Sequence, residues 1–136
     1  MHGGGGSYGS YLGPATTPNT LANIIDNCIY SKLIEPIIIV CPQNNGNFHL
    51  EFKKFLIPAV DSKYKTIPKR ENRAFGGFSM GGVETWSIFA HDLDLVKYFI
   101  PMSGDSWIAG TTGGKNNPDM TARFLSKANF ILEYDY

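Results

Sequence analysis

The 136 residues suit one domain by length, and 43% hydrophobic against 18% charged residues supply a core rather than a disordered chain. Twelve basic residues balance 12 acidic ones, so no net charge draws a phosphate backbone and nucleic acid is excluded as the expected partner. The 15 glycines and 8 prolines mark a loop-rich globular chain, and the apolar run IIIVC is far too short to cross a membrane.

In chain order, residues 1–19 read as loop, punctuated by glycine and proline. The spacing of Leu21, Ile24, Ile25, Cys28, Ile29 and Leu33 predicts a helix over 20–33, with Asn19 or Thr20 as its cap. Residues 36–41, PIIIVC, are β-branched without alternation, which predicts a strand covered on both faces. A turn over 42–47 leads to a helix over about 49–63, with Phe52, Phe55, Leu56 and Val60 toward the core. Pro58 should kink or shift that helix, because it lacks an N–H and its ring clashes with the preceding turn. A polar connection follows, then a short strand over 73–78, a helix over 81–90 that includes Trp86 as a core residue, and a second short strand over 97–102. Residues 103–119 read as a long loop and 120–132 as a last helix.

Alternating strands and helices predict a parallel sheet with helices on both faces. The chain opens in a glycine loop with no strand ahead of it and stops at EYDY, where another strand could start. The expectation is therefore an internal piece of an α/β domain, incomplete at both ends. The start MHGGGGSYGS has neither the basic residues nor the apolar stretch of a signal peptide. Cys28 and Cys41 are read as two buried free thiols, with a disulfide as the alternative.

The chemistry-bearing motif is Gly77-Phe78-Ser79-Met80-Gly81, a G-x-S-x-G sequence between a short apolar strand and a helix. That context is the one a nucleophile elbow requires. Glycines fit where the sharp turn leaves no room for a side chain, and Ser79 would project at the carboxyl end of the strand. The helix beginning at its side presents backbone N–H groups and a favourable dipole to developing negative charge. The alternative is that Ser79 merely caps a helix. The run His2-Gly3-Gly4-Gly5-Gly6 is the second element. A glycine run can turn an N–H toward a tetrahedral oxyanion, so the donors expected are the Met80 N–H and one from Gly4 or Gly5. Alone, the run would be read as a flexible terminus; paired with the elbow downstream, the oxyanion reading prevails.

A serine nucleophile needs a base, and the base needs an acid, in the chain order Ser, Asp or Glu, His. The histidines are His2, His49 and His91, and none follows a late strand that could carry the base. The catalytic acid and histidine are therefore expected outside these residues. Asp105 lies after the second short strand and is read as shaping the cleft, with triad acid as the lesser alternative. Trp107 beside it, and Asn44 among the loops at the same sheet edge, are candidate cleft residues with Tyr8, Tyr11, Asn45 and Phe48. Asp92 and Asp94 have no His or Cys cluster with them, so no metal site is expected.

The stretch FGGFSMGGVETW at 75–86 resembles the esterase family that includes carbohydrate esterase family 1, and within it the feruloyl esterases of plant cell-wall degradation. MHGGGG at 1–6, IIIVCPQNNG at 37–46, IPAVDSKY at 57–64 and FIPMSGDSW at 99–107 carry the same resemblance over nearly the whole chain. It implies an α/β-hydrolase fold with residues 1–136 as a partial esterase domain. Ser79 is then the nucleophile, Met80 and the glycine run near Gly4 or Gly5 the oxyanion donors, and Gly104, Asp105 and Trp107 a loop beside the cleft. The implied reaction releases ferulate from feruloylated arabinoxylan without a cofactor, with acetyl-xylan or general short-acyl esterase activity as the alternative. A non-catalytic module that has lost its histidine is the reading from a different class. The resemblance further implies secretion and accompanying carbohydrate-binding or docking modules.

Overall fold

The computed structural model describes residues 1–44, 48–107 and 114–126. The elements in order are α1 (Thr20–Tyr30), α2 (Phe48–Glu51), a π-helical turn (Phe52–Leu56), α3 (Ile57–Lys63), β1 (Ala74–Phe78), α4 (Met80–His91), β2 (Tyr98–Met102) and α5 (Pro118–Ser126). Among the described residues the sheet consists of β1 and β2, paired in parallel from Ala74↔Tyr98 to Phe78↔Met102. With α4 as the crossover they form one β–α–β unit, which sets the orientation of everything around Ser79.

Phe75 of β1 is the centre of the core. Phe52 meets it edge-on at 5.2 Å and Phe48 lies 6.1 Å away, while Ile88 of α4, Val96 and Met1 close the cluster. Alternation along β1 buries Phe75 and Gly77 beneath α4 and leaves Phe78 exposed on the other face. On β2, Tyr98, Ile100 and Met102 are exposed as well. Below the sheet edge, Arg73 donates to Asp61 at 2.6 Å, tying α3 to the start of β1.

Several expectations change. Residues 36–41 form no strand, and Ile37, Ile38, Ile39 and Val40 are exposed. A cavity of about 630 Å³ separates this segment from β1, with Ile38, Val40, Leu56, Val60 and Phe75 in its walls. Met1 lies on the same side of β1 and is bonded like a ladder residue. Its nitrogen donates to the Gly76 carbonyl at 2.6 Å, and its carbonyl accepts from Phe78 N–H at 3.2 Å. The helix α1 ends earlier than its periodicity suggests, at Tyr30, with Lys32 at φ 57, and it has no buried residue. Asn19 stands at its N-cap, but the side chain reaches back to the Gly9 and Ser10 carbonyls at 3.3 and 3.1 Å. Cys28 and Cys41 are free thiols and only partly buried.

The helix around Pro58 is shifted in register, as expected, by the π turn that precedes α3. The wider turn accommodates the missing N–H. Phe55 sits on that turn and is exposed rather than in the core. Trp86 is half-buried, and its indole N–H donates to the Gly104 carbonyl at 3.3 Å. The helix expected at 120–132 begins at Pro118, and positions 127–132 lie outside the described residues.

At the far end of α4, His91 stacks on His49 with ring centroids 4.6 Å apart. Burial, reinforced by His91 and Lys53 nearby, pushes the His49 imidazole down. Beside this pair the Asp92 side chain is 1% exposed, with the Lys53 ammonium 3.8 Å away. Burial lifts the Asp92 carboxyl from 3.8 to about 6, against the opposing attraction of Lys53. A carboxyl whose folded pKa is raised favours folding when protonated, so its contribution is lost as pH rises from about 3.8 through about 6. Asp92→Asn is therefore expected to gain melting temperature relative to the unsubstituted protein as pH goes from 4 to 8. The difference between the two proteins cancels His49, whose lowered pKa acts in the opposite direction. Melts across that range are the check, and a difference that stays flat or shrinks would contradict the burial assignment.

Candidate active site

Ser79 sits between the last residue of β1 and the first of α4, at φ 55 and ψ −115. A non-glycine residue adopts this region only under constraint. Here the Ser79 N–H donates to the Met102 carbonyl at 2.9 Å and the Ser79 carbonyl accepts from Val83 N–H at 3.0 Å. The first bond holds the turn to the end of β2, the second commits the chain to α4. The turn is tight enough that a Cβ on Gly77 would come within 2.5 Å of the Gly81 carbonyl group, and one on Gly81 would overlap the Met1 carbonyl. The first-turn amides of α4, Met80 among them, have no partner within the helix ladder by its geometry.

The glycine run lies directly across this turn. A Cβ on Gly3 would sit 3.1 Å from Ser79 Cβ, and one on Gly4 would sit 3.1 Å from Met80 Sδ. Gly6 N–H donates to the Gly3 carbonyl at 3.1 Å, closing a β-turn whose third residue, Gly5, has φ 75. Between the run and Ser79 lies a cleft of about 280 Å³ lined by His2, Gly3, Gly4, Gly6, Ser10, Tyr11, Phe78 and Ser79.

His2 is buried in the wall of that cleft, and both of its ring nitrogens are engaged. The Asn44 backbone N–H donates to Nε2 at 3.1 Å, so Nε2 carries the lone pair and Nδ1 the proton, which it donates to the Gly3 carbonyl at 2.8 Å. A ring held in this way locks the glycine run to the loop at 42–44 and has no free nitrogen for a serine proton. His91 ends α4, twelve residues from Ser79, which is about 18 Å along a helix axis. His49 is its stacking partner. The described cleft lining does not include Asn44, Asp105 or Trp107. Asn44 is joined to the cleft through His2. Asp105 accepts from Ser106 N–H at 2.9 Å and lies against Gly114, and Trp107 is exposed on the same loop. Asn45 lies outside the described residues, and Phe48 belongs to the core.

Ser10 lines the cleft without having been singled out in the sequence, and Tyr11, a candidate cleft residue there, lines it as well. Among the described residues, no group of three or more His, Cys, Asp or Glu is placed to hold a metal ion, and no helix is long and apolar enough to cross a membrane.

A strand, a strained serine turn and a helix, facing a glycine run at the end of a parallel pair, define the class as α/β-hydrolase-like. No protein-family model matches the chain. It is 39% identical over 133 residues to endo-1,4-beta-xylanase Y of Acetivibrio thermocellus, across 86% of this chain and 12% of that protein. It is 32% identical over 99 residues to an endo-1,4-beta-xylanase/feruloyl esterase of Xylanibacter ruminicola, across 62% of this chain and 14% of that one. Among solved structures, a serine-to-alanine mutant of the feruloyl esterase module from Clostridium thermocellum complexed with sinapinate superposes with a TM-score of 0.77 at 35% identity. That match covers 95% of this chain and 48% of the other. A structure of FAE matches with a TM-score of 0.74 at 35% identity, over 93% of this chain and 49% of that one. The chain thus spans about half the length of these structures and a small part of the two xylanases. It belongs to the carbohydrate-esterase family of feruloyl-esterase-like proteins.

Proposed function

We propose that the whole protein is a serine carboxylic-ester hydrolase that releases ferulate from feruloylated arabinoxylan. The observation that carries this reading is the strained Ser79 turn facing the glycine run across the 280 Å³ cleft. Ser79 Oγ attacks the ester carbonyl, its proton passing to a histidine outside these residues that an acid orients. The Met80 N–H and one from Gly4 or Gly5 receive the oxyanion. Collapse of the tetrahedral intermediate expels the sugar hydroxyl, reprotonated by the histidine. Water then cleaves the acyl-enzyme, returning Ser79 and ferulic acid. The chemistry calls for no cofactor. Asp105, Trp107 and Asn44 shape the approach to the cleft.

Support for the acyl group comes from the relatives named feruloyl esterase and from the sinapinate complex of one of them. In the same reading residues 1–136 are part of an α/β-hydrolase esterase domain, whose mostly parallel sheet continues at both ends with helices on both faces. The protein is secreted and works on plant cell-wall polysaccharide, alongside carbohydrate-binding or docking modules.

The test is substrate preference in the whole protein. Methyl ferulate is expected to exceed methyl acetate, which has the same leaving group, and acetylated xylan by about tenfold or more in kcat/KM, the discrimination that about 1–2 kcal/mol of aromatic burial supplies. The reverse order would make it an acetyl-xylan or general short-acyl esterase. Inertness toward all three would favour a non-catalytic module of the same fold.

A further inference from the structure

We propose that Tyr11 is a positioning residue for the oxyanion donors, acting through the Met1 carbonyl; this rests on the esterase reading above. The Met1 carbonyl is where the glycine run is fastened to the elbow. It accepts from Phe78 N–H, one residue before Ser79, and it packs against Gly81 in the first turn of α4. Its second lone pair takes the Tyr11 hydroxyl, which donates at 2.9 Å. Only two residues separate Met1 from Gly4, and the turn closed by Gly6 N–H on the Gly3 carbonyl makes that stretch stiff. A displacement at Met1 therefore passes to the amides facing Ser79 with little loss.

Tyr11 is well placed to resist such a displacement because its own loop is braced. Gly13 N–H donates to the Gly9 carbonyl at 3.0 Å and Asn19 N–H to the Leu12 carbonyl at 2.8 Å. The Asn19 side chain also holds the Gly9 and Ser10 carbonyls. The phenol is thus a strut from a pinned loop to the base of the glycine run. Without its hydroxyl, the Met1 carbonyl keeps its ladder bond to Phe78, so the fold survives while the run loses its second tether. Oxyanion donors act only when aimed to within a fraction of an ångström, and misplacement lowers the rate of the chemical step rather than substrate affinity.

The experiment compares Tyr11→Phe with Tyr30→Phe in the whole protein, Tyr30 being 88% exposed and remote from the cleft contacts. For Tyr11→Phe, kcat on methyl ferulate is expected to fall about tenfold, as loss of one net hydrogen bond allows, with KM within twofold and the melting temperature little changed. Phenylboronic acid, whose tetrahedral serine adduct needs the aimed amides, is expected to inhibit about tenfold more weakly. Asn19→Ala, which loosens the loop carrying Tyr11, should give the same kcat-specific loss. A Tyr11→Phe protein with kcat and boronate inhibition both within twofold of the unsubstituted protein overturns the role. A rise in KM with boronate inhibition unchanged also overturns it, since Tyr11 would then be touching substrate. An unsubstituted protein inert toward every ester overturns the esterase reading instead, and this role with it.

Discussion

Replacing Ser79 with alanine in the whole protein is expected to cut ester hydrolysis by roughly ten-thousand-fold or more while leaving the fold intact. The magnitude follows from chemistry. Without Oγ no acyl-enzyme forms, and what remains is whatever the oxyanion amides do for direct attack by water. The fold should be indifferent, because the backbone bonds that hold the turn, Ser79 N–H to Met102 and Val83 N–H to Ser79, do not use the side chain. Ser79→Gly adds a second reading of the same position. At φ 55 and ψ −115 a Cβ is strained, so glycine should be equally inactive but more stable by about 1 kcal/mol. Rates on methyl ferulate, paired with urea unfolding of the three proteins, decide it. An alanine variant retaining more than about one per cent of the rate would remove Ser79 as nucleophile, because no other group could supply the same step at that efficiency.

Gly81→Ala is expected to destabilise the protein by about 3 kcal/mol or more. Helix propensity alone predicts a gain, of less than the ~1 kcal/mol of a helix interior because Gly81 stands in the first turn of α4. Packing reverses the sign. The new Cβ would overlap the Met1 carbonyl oxygen and come within 3.0 Å of the His2 carbonyl oxygen, both backbone atoms that cannot rotate away. To admit it, the glycine run must lift off the elbow, so activity should fall with stability. Gly5→Ala is the contrast. Nothing lies within 4 Å of its Cβ position, and its φ of 75 alone costs about 1 kcal/mol. Urea midpoints for the two variants test the comparison. Equal, small losses would mean that the run does not press on α4 as described.

Much of the unit around Ser79 was legible before the structure. The strand before the motif, the helix after it and the next strand are local signals, each carried by a short run of the right residue types, and β1, α4 and β2 lie within a residue or two of where those runs predict. The shift of the helix before Pro58 is covalent chemistry and needs no partner to be foreseen. The site was legible to the extent that it is contiguous: G-x-S-x-G and H-G-G-G-G can each be read, and their meeting follows from the class of fold they suggest.

Other features depend on partners distant in sequence. PIIIVC has the composition of a covered strand, yet it stands outside the sheet with a 630 Å³ cavity between it and β1. Composition says how much apolar surface a segment would bury, not which neighbour lies within hydrogen-bonding reach. The apolar stripe of α1 likewise is only half covered, with no residue fully buried, and Phe55 turns outward because the π turn before Pro58 rotates it away from the stripe a regular helix would present. His2 bonding to Asn44, His49 stacking on His91 and Tyr11 reaching the Met1 carbonyl join residues 42, 42 and 10 positions apart. The sequence by itself determined the elbow, its glycines and the elements that flank it, because these rest on backbone sterics and short-range periodicity. The tertiary structure alone decided which ring nitrogens are occupied, which hydroxyl braces the glycine run and which apolar segment joins the sheet, because those outcomes depend on the distances between separate elements once they have packed.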